Sequence, residues 1–313
     1  MLIMANNFFK PVGSKIFIIN FYTFSKIENL IVWVNRSRYK NLDKIKYPAK
    51  AVIIDFSKCK PNIKPYHITP LACIIHEYQS KGYVIKLKNI PNNIECYLSS
   101  FNFQQFTENG SMIDIPVSSD CKILPLWLIK RNTYNLYPNR AKEYFENNHF
   151  DGLSLWPLSI SLAELMNNIF DHSDSPIPGY TFTQYNATQD SIITCVCDFG
   201  VGIPVKVNNY LQTNNRGKLT NTGALLKAFE MNFSTKSQPH NKGYGLDNII
   251  SNIKLLNSKA LIISNNVVYR IFPDNIEYTS ELTVNFPGSL FVIWLNVNNL
   301  SVKEEEFADE APL

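Results

Sequence analysis

Ser191-Ile192-Ile193-Thr194-Cys195-Val196-Cys197-Asp198-Phe199-Gly200-Val201-Gly202-Ile203-Pro204 decides how the second half of this chain reads. The run from Ser191 to Cys197 is apolar enough to predict a strand. Asp198 closes it, where a carboxylate can accept a hydrogen bond from a purine amino group. Gly200 and Gly202 let the backbone approach a flat ring or a phosphate. Taken alone, Asp-x-Gly-x-Gly is also ordinary turn chemistry after a strand. Cys195 and Cys197 are two apart, so both sulfurs fall on one strand face, as small buried side chains.

Upstream, Ser159–His172 has helical spacing. Glu164, Asn168, Asp171 and His172 fall within about one quarter of its circumference, and Leu162, Leu165 and Ile169 supply the apolar side. A polar stripe on such a helix is costly to bury without a ligand. An asparagine can offer an oxygen to Mg²⁺, and a glutamate one turn away can orient a water. The same pattern also describes a plain amphipathic helix. Downstream, Lys242-Gly243-Tyr244-Gly245-Leu246-Asp247 precedes a helix over 245–256. Glycines at a helix start free N–H groups for an anion, and the helix dipole favours phosphate there; a loop leading into a helix reads the same way.

The order and spacing of these three stretches resemble the asparagine box and the two glycine boxes of the GHKL superfamily, the Bergerat-fold ATP-binding domains of gyrases, heat-shock chaperones, histidine kinases and MutL proteins. Phe233-Ser234-Thr235-Lys236 is similar to the F-x-T-K stretch ahead of the last box, and Gly288-Ser289-x-Phe291 to the closing G-T-x-F strand, with Ser289 in place of threonine. The resemblance covers residues 153–298. It implies an α+β two-layer sandwich that binds ATP with Mg²⁺. Asn168 takes the place of the Mg²⁺-coordinating asparagine, Glu164 that of the water-activating base, and Asp198 that of the adenine reader, with Gly200 and Gly202 beside it. Gly243, Gly245 and Leu246 come to the phosphates, and 201–242 forms a mobile lid. Lys236 either pairs with the terminal phosphate or is a solvated lid lysine. Ser289 belongs to the same nucleotide site. The spacing Glu164–Asn168–His172 resembles that of anti-sigma-factor serine kinases. No coiled coil surrounds His149, which disfavours a sensor histidine kinase. No G-x-x-x-x-G-K-S/T occurs, and Gly200-x-Gly202 lacks the third glycine of a dinucleotide fingerprint.

In the first half, Ala51–Phe56 and Tyr83–Leu87 read as buried strands around a helix over 71–80, with Thr69 as N-cap and Pro70 at the first helical position. Strand–helix–strand predicts a parallel sheet. The strands and the Ile68-Thr69-Pro70-Leu71 helix start resemble a STAS-like α/β domain, the anti-sigma antagonist family, over 49–115. In that family a phosphorylated Ser or Thr sits at this helix start, here Thr69, although the usual D-S-S-G is absent. Residues 1–48 form an N-terminal segment with apolar runs at 16–24 and 30–34, residues 116–152 a connector, and residues 299–313 an acidic tail.

Of the 313 residues, 45% are hydrophobic and 18% charged, which supports two folded domains and excludes a disordered chain. A net charge of +4 with no clustered Lys/Arg stripe gives no expectation of nucleic-acid binding. The six cysteines show no zinc spacing. No signal peptide or membrane span is read, so a cytoplasmic location with reduced thiols is expected. The expectation is therefore an ATP–Mg²⁺ protein that hydrolyses ATP or transfers its terminal phosphate to a protein partner, or else uses ATP as a switch without turnover. A homodimer is compatible with either.

Overall fold

A computed structural model describes residues 9–11, 16–39, 51–109, 122–130, 136–172, 175–231, 233 and 245–303. Among them lie two sheets. The first has the order β1 (Phe9–Pro11), β2 (Ile16–Asn20), β3 (Ala51–Asp55), β4 (Val84–Lys88). Its strands β2, β3 and β4 are parallel, and β1 is antiparallel to β2. The crossovers are α1 (Ile27–Ser37) and α2 (Pro65–Gln79), followed after β4 by α3 (Asn92–Ser99) and α4 (Phe103–Asn109). The second sheet is antiparallel throughout, ordered β5 (Trp127–Leu128), β6 (Tyr180–Asn186), β7 (Ser191–Asp198), β9 (Glu277–Asn296), β8 (Lys259–Ile271). Its helices are α5 (Leu136–Asn148), α6 (Trp156–His172), α7 (Ile203–Thr213), α8 (Asn221–Ala228) and α9 (Leu246–Leu255). The architecture is mixed: an α/β sheet followed by an α+β unit.

Several sequence readings shift in detail. The N-terminal segment supplies β1, β2 and α1 to the first sheet, and the stretch between the two halves supplies β5 and α5 to the second unit. The closing strand read at Gly288–Phe291 is part of the 20-residue β9, whose pairing with β8 is interrupted by a register shift at Asn265. The helix expected to begin at Thr69 begins instead at Pro65, with Lys64 as N-cap. Proline is well placed at that first position because its missing N–H has no helical acceptor. Thr69 is then a fully buried residue inside α2, its hydroxyl 3.3 Å from the Pro65 carbonyl and 2.9 Å from Cys195 Sγ. It is neither a cap nor accessible for phosphorylation.

The central strand explains how the halves join. All eight residues of β7 are buried. Side-chain alternation sends Ile192 and Val196 into one core with α5, α6 and α9, and Ile193, Cys195 and Cys197 into another with α1 and α2. The sheet expected as one side of a two-layer sandwich is therefore covered on both faces, the second cover coming from the N-terminal half. Across that junction the His76 ring lies 2.6 Å from the Tyr180 hydroxyl, and Cys73 Sγ donates to the Cys197 carbonyl at 3.7 Å.

The same junction holds a buried ion pair. Arg38, just past α1, reaches Glu77 on α2 with Nη2 at 2.8 Å and Nε at 3.1 Å from Oε1, and the Tyr39 amide donates to Oε2 at 3.0 Å. Both side chains are buried. The Arg38 guanidinium also stacks on the Phe199 ring, 4.6 Å from its centroid. Removing one member strands the other charge, which typically costs ~3–5 kcal/mol. Arg38→Ala should therefore destabilise the protein by about that much in urea unfolding, whereas Arg38→Met with Glu77→Leu should recover most of the loss. A single-variant loss under about 1 kcal/mol would show that the pair is solvated.

Candidate functional site

Asp198 ends the central strand of the second sheet. Its side chain follows Ile192 and Val196 in the alternation and so faces the helical layer of α6 and α9. It is 4% exposed. Its Oδ1 accepts from the Gly200 amide at 2.7 Å, and the Ser289 amide also donates to the carboxylate. No Lys or Arg pairs with it among the described residues. Burial pushes its pKa up to about 7, against the downward pull of those two amides. The carboxyl is thus held in place, desolvated and without a counter-charge.

The surrounding turn explains the glycines. Gly202, the N-cap of α7, has φ +84°, and a Cβ there would stand 2.6 Å from the Asn265 side chain. Asn265 Nδ2 donates to the Val201 carbonyl at 2.9 Å, while its Oδ1 is buried with no partner. Gly288 has φ +82°, and a Cβ there would come within 2.4 Å of the Asp198 carbonyl. Ser289 pairs with Asp198 across β7 and β9, and its hydroxyl lies 2.9 Å from that of Ser264. Ser264 in turn accepts from the Ile203 amide at 2.8 Å. Ser289 and Gly202 therefore build the turn around Asp198. Asn265 and Ser264 are site-shaping residues that the sequence reading did not assign, and Gly288 was read only as part of the closing strand; the asparagine at positive φ beside a register shift is visible only in three dimensions.

Glu164 and Asn168 lie one turn apart on α6, both half-buried. Asn168 Nδ2 is fully buried and has no hydrogen-bond partner. An unpaired buried amide is costly. Rotating the amide by 180° puts Oδ1 at the same place, so the site can accept either a donor or a cation. The α6 backbone extends through Asp171 and His172, whose side chains lie outside the described residues.

Gly245 caps α9 and donates its amide to Asp247 Oδ1 at 3.0 Å. A Cβ there would meet nothing within 4 Å among the described residues. Leu246, the first residue of that helix, packs with Ile203 against Val207, Leu211, Ala224 and Ala228. That shared cluster brings the start of α9 to the loop after Asp198. It also corrects the first part of the expected lid: α7 and α8 are packed helices, joined by Asn208 bridging Leu219 N and O at 2.8 and 3.1 Å. Lys236 and Gly243 lie outside the described residues.

The arrangement brings Asp198, Gly200, Gly202 and Ser289 into one turn, sets Leu246 beside it, and leaves Asn168 on the helix layer that Asp198 faces. Among the described residues no three His, Cys, Asp or Glu side chains cluster to hold a metal ion, and no helix is long and apolar enough to cross a membrane. No protein-family model matches the chain, and no curated protein matches it.

The raised pKa of Asp198 has a signed consequence. The folded protein keeps this proton up to about pH 7, whereas an unfolded aspartate releases it near its ordinary 3.8. The folded state binds the extra proton between those values, so this group's contribution to stability falls as pH rises through that window and then levels off. Asp198→Asn removes the titration. The variant's stability relative to wild type should rise by on the order of 1 kcal/mol per pH unit between about pH 4 and 7. A pH-independent difference in chemical unfolding would contradict this.

Proposed function

We propose that residues 153–298 form a GHKL-type nucleotide site of Bergerat-fold kind, which binds ATP with Mg²⁺ and hydrolyses it or passes its terminal phosphate to a protein partner in a regulatory, cytoplasmic role. The observation that carries this reading is the desolvated carboxyl of Asp198, fixed by two backbone amides and without a counter-charge among the described residues. Those two amides offset only part of the cost of burying a carboxylate, since its pKa stays raised to about 7. An adenine amino group would add a third donor to the carboxylate. Binding it favours the ionised carboxylate, so nucleotide affinity should strengthen as pH rises through about 7.

The residues present fit a magnesium nucleotide. Mg²⁺ keeps water and phosphate oxygens as most of its ligands and needs few from the protein. Asn168, with its orphaned amide end, would be the protein's ligand. The ion, when bound, neutralises phosphate charge. Gly245, at the start of α9, would bring backbone N–H groups to the phosphates. Glu164, one turn before Asn168, would take the proton from the attacking water or hydroxyl. The first half, read as a STAS-like unit, would be the regulatory partner domain.

A second reading, nucleotide-driven switching without turnover, is favoured by one contact. Phe199 follows Asp198 directly and lies under Arg38 of the N-terminal half. A change in the Asp198 turn would thus reach the other half of the protein without chemistry.

Phosphate release separates these readings. Asn168→Ala should remove Mg²⁺-dependent ATP binding while the fold survives. Glu164→Gln should keep ATP affinity and lower turnover by ~10²–10⁴-fold, because an amide takes up no proton at neutral pH. Equal ATP affinity in wild type and Asn168→Ala would overturn the metal assignment. Wild type that binds ATP but releases no phosphate, with or without a partner, would leave the switch.

A further inference from the structure

The face of the second sheet opposite Asp198 carries a cleft that the nucleotide reading does not use. Its volume is about 730 Å³, within the range of small-molecule sites. Phe24, Lys26, Tyr66, Leu261, Arg270 and Trp294 form its walls, where the turn before α1 and the start of α2 meet β8 and β9. Trp294 pairs with Ile193 of β7, which packs toward α2, so the cleft lies behind the sheet from Asp198.

Its chemistry is specific. Arg270 is half-buried, and among the described residues its guanidinium has neither an ion pair nor a hydrogen bond. Lys26 is exposed at the rim, and α1 begins directly after it with no side-chain cap, so the positive end of that helix adds to the same field. Glu28 is the single carboxylate in the lining, which leaves two cations against one anion. That balance suits a ligand with one negative charge. The apolar part is aromatic and flat: Tyr66 and Trp294 are both half-buried, with ring centroids 6.3 Å apart and planes at 57°. Two tilted rings with Phe24 and Leu261 behind them suit a planar ring system better than a flexible chain. A guanidinium fork binds a carboxylate through two parallel hydrogen bonds.

We propose that this cleft binds a small aromatic carboxylate, its ring against Trp294 and Tyr66 and its carboxylate on Arg270, with Lys26 at the mouth. Because its walls come from both halves of the chain, an occupied cleft would brace α1 against β8 and β9. The proposal is independent of the nucleotide reading.

Calorimetric titration of the full chain with 2-naphthoate tests it, with 2-naphthalenemethanol and acetate as neutral and ring-free comparisons. The expected result is saturable binding of one 2-naphthoate per chain, about tenfold weaker binding of the alcohol, and no acetate binding in the same range. Arg270→Gln and Trp294→Leu should each weaken 2-naphthoate by about tenfold, while Asp198→Asn changes it less than about twofold. If Arg270→Gln does not fold, Arg270→Lys, which keeps the charge but loses the fork, should still weaken binding severalfold. No saturable binding to folded wild type, equal affinity for the neutral alcohol, or unchanged affinity in the folded Arg270 variant would overturn the proposal.

Discussion

Everything in the second unit depends on burying β7 from both sides. An antiparallel strand usually leaves one face to water, but here all eight residues are covered. Ile192 and Val196 are covered by α6 and α9, and Cys195 and Cys197 by α2. The strand ends on a carboxyl that lies beyond the reach of bulk water. Asp198 is tolerated there because Gly200 and Ser289 point amides at it, and those amides are placed by tight turns that only glycine permits at Gly202 and Gly288. The desolvated acid is a product of the packing.

Covering the second face with the N-terminal half has a further effect. The N-terminal half shares its core with the second sheet, Phe182, Cys195 and Leu290 joining one cluster with Phe21, Trp33 and Ile54, while the other face of that sheet has a core of its own with α5, α6 and α9. A shared core resists independent motion of its parts, since packed interiors transmit displacement. Arg38 gives this coupling a local form. It is held by Glu77, stacks on Phe199, and is one residue past the end of α1. Asn35 on the same helix donates to the Asn285 carbonyl of β9 at 2.5 Å. The Asp198 turn thus meets the N-terminal half through Phe199 and Arg38, and β9 meets α1 through Asn285 and Asn35.

How much of this was legible in the sequence follows from the range of each interaction. The run of residues 191–197 and the polar stripe of α6 are local patterns, and they gave β7, α6 and the placement of Glu164, Asn168 and Asp198. The parallel unit was likewise visible in Ala51–Phe56 and Tyr83–Leu87. What escaped depends on partners distant in the chain. Thr69 reads as a cap beside Pro70, yet Pro65 offers an equally good first position and the tertiary contact with Cys195 selects it. Arg38 and Glu77 are 39 residues apart and look like ordinary surface charges until α1 and α2 meet. Asn265 meets the Asp198 turn only because β8 and β9 pair beside it.

An adenine ring read by Asp198 would leave its mark on base selectivity, which calorimetric titration of the wild-type protein with ATP and with GTP, both with Mg²⁺, measures. A carboxylate accepts from the adenine amino group but faces the guanine carbonyl acceptor to acceptor, a mismatch of ~1–3 kcal/mol. Above about pH 7, where the carboxyl is ionised, one ATP site per chain with roughly tenfold weaker GTP binding is expected. Equal affinities for the two nucleotides, or no ATP binding by the folded protein, would contradict it.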